Sequence, residues 1–271
     1  MPVTRLFIEG KLESEVLLQI LQGAPVLQVG GSKNSLKPRT RAERRENRIA
    51  AGYLRDRDFD FDPPRDLSKP TVDCEDDGIP IGWRWCRHEI ENYLIEPAIV
   101  GEAKGWPISE VEEAISHAAR KIRSYEAARW TIGIVRRELP PSYELQTRPD
   151  DLNEIDLPRY LDSMAVGEWA SNSIEIHRNR IAAIADPKVV QESFDTYVDR
   201  FNDSFMTDTA NILLWFSGKD ILAGMADWLS AKAVENSGAF RASLRDWIIA
   251  NPLRALELLP EWRNLAVVLR K

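Results

Sequence analysis

Asp56-Arg57-Asp58 ends an apolar run over residues 49–54, and Glu9-Gly10 ends an earlier one over residues 3–8. Both runs read as buried strands. In an open parallel sheet, ligands bind in the crevice outside the carboxyl ends of the strands. Two such ends would gather three carboxylates, which repel one another unless a cation sits between them. Hard, oxygen-seeking ions such as Mg2+ or Mn2+ suit that setting. Carboxylate-held metal activates water and neutralises charge on a phosphate, which suits phosphodiester hydrolysis; a different Asp-x-Asp enzyme, such as a phosphotransferase or nucleotide-sugar transferase, is another reading. Glu9 is expected as a direct ligand or general base. Asp56 and Asp58 are expected as ligands, since alternation along a strand end lets both lean to one side. The same Asp pair could instead turn or cap the chain.

Other charged residues fall around this group. Lys33, Lys37, Arg39, Arg41, Arg44, Arg45 and Arg48 stand against only Glu43 and Glu46 between 33 and 48, and Arg55 and Arg57 flank Asp56. Such a stretch leading into carboxylates suits a phosphate polyanion. A docking surface for an acidic partner and a plain solvated helix face are the other readings. His88 could donate to a phosphate or a carboxylate, or be structural. Glu89 and Glu91 are two apart, so at most one is expected to reach the site. Asp60 and Asp62 are expected as solvated loop residues. Lys219 follows a glycine, but Leu213 stands where a phosphate-binding loop needs its first glycine, and Asp220 replaces the Ser or Thr that would hold Mg2+. Lys219 is left to neutralise a substrate phosphate or to open a helix.

The chain has 271 residues, 44% of them hydrophobic and 29% charged, enough for one large domain or two ordinary ones. Its net charge of −7 speaks against a general nucleic-acid binder, so any polyanion site has to be local. Nine Trp imply large cores or a partner surface. Cys74 and Cys86 form no Cys-x-x-Cys and are too few for a disulfide framework, which fits a reduced, cytoplasmic protein. Three scattered His argue against zinc. No run reaches the roughly 20 apolar residues of a membrane span. The first residues enter a strand directly, so no signal peptide is expected.

Strands are expected at 4–8, 25–29, 49–54 and 82–87, with helices at 12–22 and 39–50 and a Pro- and Asp-rich loop over 59–80. Alternating strands and helices imply a parallel sheet. From 107 the pattern turns helical. Ser109 and Glu112 read as a capping box. Helices are expected at 157–165, 169–185, 187–205, 219–233, 240–250 and 252–259, with Pro140-Pro141 and Arg148-Pro149-Asp150 as breaks. Residues 211–216 read as a short strand or a helix start. The divisions expected are 1–105 as an α/β catalytic core, 106–206 as a helical insertion, and 207–271 as a helical region packing back on the core.

With Leu6-Phe7-Ile8-Glu9-Gly10 and Tyr53-Leu54-Arg55-Asp56-Arg57-Asp58 in this order, the chain resembles the TOPRIM family, the metal-binding fold of topoisomerases, primases and OLD-type nucleases. OLD-type members add an acid four positions after the Glu, usually Asp. Glu13 stands there with a longer arm. Residues 87–94, Arg-His-Glu-Ile-Glu-Asn-Tyr-Leu, and 217–222, Ser-Gly-Lys-Asp-Ile-Leu, resemble segments of a less-studied branch encoded beside ABC-type ATPases in anti-phage systems such as PARIS.

The resemblance covers the first hundred residues well and the rest mainly through the Gly-Lys segment. It implies a TOPRIM-like parallel sheet flanked by helices with an additional helical region. It implies Glu9, Glu13, Asp56, Asp58 and Glu91 as metal ligands for Mg2+ or Mn2+, with Glu91 preferred over Glu89, and Lys219 as a catalytic residue. Its function would be that of a toxic nuclease acting on DNA or RNA, tRNA among them, controlled by an ABC-type ATPase partner; a homodimer fits the same picture. A catalytically idle module that binds only nucleic acid or a partner is the alternative.

Overall fold

The computed structural model describes residues 2–138, 162–178 and 186–270. Contacts divide the chain into two units: Met1–Arg57 with Pro63–Ile108 and Phe240–Lys271, and Asp58–Asp62 with Ser109–Ala239. These divisions cut the chain at other points than 105 and 206. Residues 207–239 belong with the helical unit, and only the last helices belong with the sheet.

The first unit is α/β. Its strands are β1 (Arg5–Ile8), β2 (Val26–Val29), β3 (Ala51–Arg55), β4 (Thr71–Cys74) and β5 (Pro80–Arg84), in the order β2-β1-β3-β5-β4. Pairs β1–β2, β1–β3 and β3–β5 are parallel, and β4 runs antiparallel to β5. Leu6, Phe7, Ile8, Ala51, Tyr53, Leu54 and Ile81 are buried, as strands of a mostly parallel sheet covered by helices should be. Helix α1 (Lys11–Ile20) buries Val16, Leu17 and Ile20, spaced for one face, and packs on β2. Helix α2 (Lys33–Glu46) packs mainly on β3.

Two expectations change here. The second helix begins at Lys33 rather than 39, behind the N-cap position of Ser32, and runs through Pro38. Strand β4 lies inside the segment read as loop; it is four residues long and paired on one side only, and Asp-rich flanks mask so short a strand. Its junction with the sheet depends on Gly82. A Cβ there would lie 2.4 Å from the Tyr53 ring, which passes over β5 so that the Tyr53 hydroxyl donates to Asp73 of β4 at 2.8 Å.

After β5 come α3 (Glu91–Leu94) and α4 (Pro97–Lys104), the latter ended by Gly105 at φ 69°. Near the end of the chain, α11 (Ser237–Ala250), α12 (Pro252–Leu258) and α13 (Pro260–Leu269) follow one another. They return to the sheet: α12 packs on α1 and α4, and the Val3 amide donates to the Leu269 carbonyl at 2.9 Å.

The second unit is helical. Helix α5 (Ile108–Glu138) starts before Ser109, so Ser109 lies inside the helix rather than capping it. Next come α6 (Ser163–Arg178), α7 (Pro187–Arg200), α8 (Thr209–Trp215), α9 (Gly218–Gly224) and α10 (Ala226–Ala231). Residues 211–216 are therefore helical up to Trp215, and the expected helix at 219–233 is two short ones. Trp130 of α5, Tyr197, Phe201 and Trp215 form an aromatic cluster, which absorbs two of the nine Trp into core. Pro140-Pro141, Arg148-Pro149-Asp150 and parts of the helices expected at 157–165 and 169–185 lie outside the described residues. Among the described residues, no helix is long and apolar enough to cross a membrane.

Candidate metal centre

Strands β1, β3 and β5 are mutually parallel, so Ile8, Arg55 and Arg84 all end at one edge of the sheet. Glu9 and Asp56 are the first residues past two of those ends. They meet: the Asp56 amide donates to Glu9 Oε1 at 3.1 Å. Asp56, Asp58 and Glu89 each offer a carboxylate oxygen, and the three lie within 4.8 Å of one another.

A turn, not strand alternation, brings the Asp pair together. Asp58 follows β3 by three residues and has φ 48°, a left-handed conformation that Asp tolerates better than most residues but that still costs roughly 1 kcal/mol. Backbone strain of this kind gathers at functional sites. Between the two acids, Arg57 is 1% exposed and its Nε donates to the Cys86 carbonyl at 2.8 Å. That bond ties the Asp loop to the end of β5.

Glu89 arrives by a different route. It lies five residues past β5, and its amide donates to the Asn92 side chain at 3.1 Å. Asn92 is fully buried, so the loop leading into α3 is fixed from within. Sequence reasoning set Glu89 aside in favour of Glu91. The structure places Glu89 with the Asp pair, while Glu91 is buried and paired with Arg241 of α11 at 3.0 Å. The spacing of Glu89 from the third parallel strand end was the available signal.

Glu13 is buried as well. Its Oε2 accepts from the Glu9 and Gly10 amides at 3.0 and 3.2 Å, and its Oε1 accepts from the Trp85 indole at 3.2 Å. This is the Glu side of a capping box at the start of α1. Burial pushes its carboxyl up to about 7, opposed by those three hydrogen bonds and aided by the Glu91 charge. The longer arm that distinguishes Glu13 from an Asp is what lets it fold back onto the two amides. Its structural role is to fix Glu9 and Gly10.

A second buried acid, missed in the sequence, holds the same edge. Glu261 of α13 accepts from the Cys86 amide at 2.8 Å and from the Tyr93 hydroxyl at 2.5 Å. Burial raises its carboxyl, and the same burial with the Glu261 charge raises the Tyr93 hydroxyl and the Cys86 thiol. No sequence motif marks Glu261, because its partners stand 175 and 168 residues away.

The basic residues are placed otherwise than expected. Arg41, Arg44 and Arg45 lie toward the end of α2, next to the start of β3, where the Glu75-Asp76-Asp77 turn leads into β5. This is the amino edge of the sheet. Arg41 bonds Glu75 through two nitrogens, Lys37 is 3.7 Å from Glu75, and Arg44 Nε donates to the Ala51 carbonyl at 2.7 Å. Arg39, Arg45 and Arg48 are exposed, and Lys33 opens α2. Arg55 is 3.8 Å from Asp73 and turned to the sheet. Arg57 and His88 are buried, so neither can meet a polyanion at the surface. The expected polyanion-binding set thus separates: Lys33 opens α2 on the side where β2 ends, Arg41, Arg44 and Arg45 lie at the opposite edge, Arg55 is turned to the sheet, and Arg57 and His88 are in the core.

In the second unit, Lys219 is the second residue of α9, whose N-cap Ser217 accepts from the Asp220 amide. Its neighbour Asp220 is fully buried and paired with Arg129, which also lies 3.3 Å from Glu126. Asp60 pairs with Arg136, and Asp62 with Arg137 at 2.9 Å, so these loop acids are partnered within their unit rather than merely solvated.

The donor set fits a hard divalent ion: three carboxylates, no sulfur, and oxygens close enough to share one cation. No family model and no curated protein matches the chain.

Proposed function

We propose that the chain is a nuclease that hydrolyses phosphodiester bonds with Mg2+ or Mn2+ bound at the carboxyl edge of its sheet. One observation carries this reading: the convergence of Asp56, Asp58 and Glu89 within 4.8 Å. Two unit charges 4 Å apart repel by about 4 kcal/mol at an effective dielectric of 20, and a bound divalent cation offsets that repulsion. Asp56, Asp58 and Glu89 would hold the ion. Bound metal supplies an activated water and neutralises charge on the phosphate. Glu9 positions Asp56 through its amide and adds a further carboxylate beside it. Glu13 fixes the backbone of Glu9 and Gly10, and Arg57 and Asn92 fix the loops that carry the acids.

The nature of the substrate and the setting rest on the resemblance to TOPRIM proteins at Glu9-Gly10, Asp56-x-Asp58 and 87–94. On that basis the substrate is nucleic acid, DNA or RNA with tRNA among the candidates, and the activity is that of a toxic anti-phage effector held by an ABC-type ATPase. The test is cleavage of labelled tRNA and DNA by purified protein in Mg2+, Mn2+ or EDTA, beside Asp56→Asn. Metal-dependent cleavage that Asp56→Asn loses is expected. Failure of the wild-type protein both to bind Mn2+ and to cut either substrate overturns the reading.

The idle-module alternative draws on one observation. Glu13 and Glu91 are engaged by amides, Trp85 and Arg241, which leaves fewer ligands than the five carboxylates the resemblance implies. Mn2+ titration separates the two, since an idle module needs no ion.

A further inference from the structure

The amino edge of the sheet holds a hollow of about 530 Å3, within the range of small-molecule sites. Its walls include Val3, Ile49, Ile79, Trp83 and Val268, and its only charged lining residues are Arg44 and Arg48. Ile79 is 54% exposed, a large apolar side chain left at the rim. Half-buried Arg44 spends its Nε on the Ala51 carbonyl; its two terminal nitrogens have no acceptor among the described residues. Glu75, the nearest acid to affect Arg44, is already bonded by Arg41 and approached by Lys37. Arg48 is exposed and pairs with no carboxylate among the described residues. Asp76 and Asp77 line not this hollow but the neighbouring one of about 370 Å3, with Glu75, Arg41 and Arg45; Arg44 and Ile79 stand between the two and line both.

An apolar cavity lined by two guanidinium groups and by no acid among the described residues specifies its ligand by two features. The walls favour an apolar body, because burial of apolar surface is the main source of affinity in such pockets. The arginines favour an anionic head, since charge-assisted hydrogen bonds to a fixed guanidinium fork are the strong kind. We infer that this hollow binds a small amphipathic anion, an apolar body with one carboxylate-like head held by Arg44 and Arg48. The site stands at the edge opposite Asp56 and does not depend on the proposed hydrolysis.

Calorimetric titration with decanoate, decanol and decyltrimethylammonium tests this on the full chain. Decanoate is expected to bind with Kd below about 1 mM, and the neutral and cationic probes at least about tenfold more weakly. Arg48→Glu should weaken decanoate by at least about tenfold, the loss of one charge-assisted contact. Ile79→Trp, at an exposed side chain, should fill the hollow and remove binding. Each variant's thermal unfolding is recorded to confirm that it folds. No decanoate binding up to about 5 mM, equal binding of all three probes, or wild-type affinity in both folded variants would each overturn the inference.

Discussion

The two edges of the sheet handle charge in opposite ways. At the amino edge, cations of α2 meet the acidic turn before β5: Arg41 and Lys37 share Glu75, and Arg45 lines a hollow with Asp76 and Asp77. At the carboxyl edge, Asp56, Asp58 and Glu89 crowd together, and the nearest arginine in sequence, Arg57, is turned to a backbone carbonyl. Opposite charges on a partly exposed surface contribute little and need no explanation beyond solubility. Like charges gather at the strand ends, one of them on a residue in a left-handed conformation, an arrangement that charge and backbone both disfavour locally. On the proposed reading the contrast separates a charged region that is structural from one that is functional, even though the sequence places more charge in the first.

That contrast can be broken most directly at Asp56. Asp56→Asn is expected to lower metal-dependent cleavage by about a thousandfold, equivalent to the roughly 4 kcal/mol a metal contributes to transition-state charge. Thermal stability without metal should hold or rise, because one repelling charge is gone. Normal cleavage by the purified variant would remove the metal role. A next-largest effect is expected at the support beneath the site. Glu261→Ala strands the Cys86 amide and Tyr93 hydroxyl and should destabilise the protein by about 3 kcal/mol, read by urea unfolding. A loss under about 0.5 kcal/mol would make that clasp incidental.

A pH profile sharpens the comparison further. The Glu13 carboxyl sits at about 7 in the folded protein, above its ordinary value of 4.5, because it is buried. A raised carboxyl binds more protons folded than unfolded, so its stabilisation is present at low pH and fades as pH rises through about 7. In EDTA, stability should therefore decline between pH 4.5 and about 7, with Glu261 acting in the same direction. Glu13→Gln should flatten that decline; an unchanged slope would exclude Glu13 as its source. The smallest effect is expected at the other edge. Arg44→Glu with Arg45→Glu should leave cleavage within about twofold of wild type. The strands separate the two edges by about 15 Å, beyond a Debye length of about 8 Å. A large rise in KM would restore these arginines as substrate contacts.

Much of the sheet was legible because its runs are apolar and bounded: residues 3–8 and 49–54 could hardly be anything but buried strands. The acids at their ends followed from the rule that places ligands at carboxyl ends. Direction was legible but went unused: a crossover in a parallel sheet returns to the amino edge, so the residues just before β3, Arg44 and Arg45 among them, belong at that edge. The resemblance put Glu13 among the ligands, yet three hydrogen bonds hold its carboxylate on the Glu9 and Gly10 amides and the Trp85 indole. Glu89 carried a signal in its spacing from the third strand end, whereas Glu261 depends on partners 175 and 168 residues away, which no local pattern encodes.

The Glu261 clasp also sets an order of events during synthesis. Cys86 and Tyr93 leave the ribosome long before Glu261 does, 175 and 168 residues later. At about 5–20 residues per second, that gap is on the order of 10 s. Through that interval the end of β5 lacks the acceptor for the Cys86 amide, and β1 lacks the α13 carbonyl that the Val3 amide donates to. The edge that carries Asp56 and Glu89 thus waits on α13. A nascent chain remains without the Glu261 clasp at that edge until α13 has been translated.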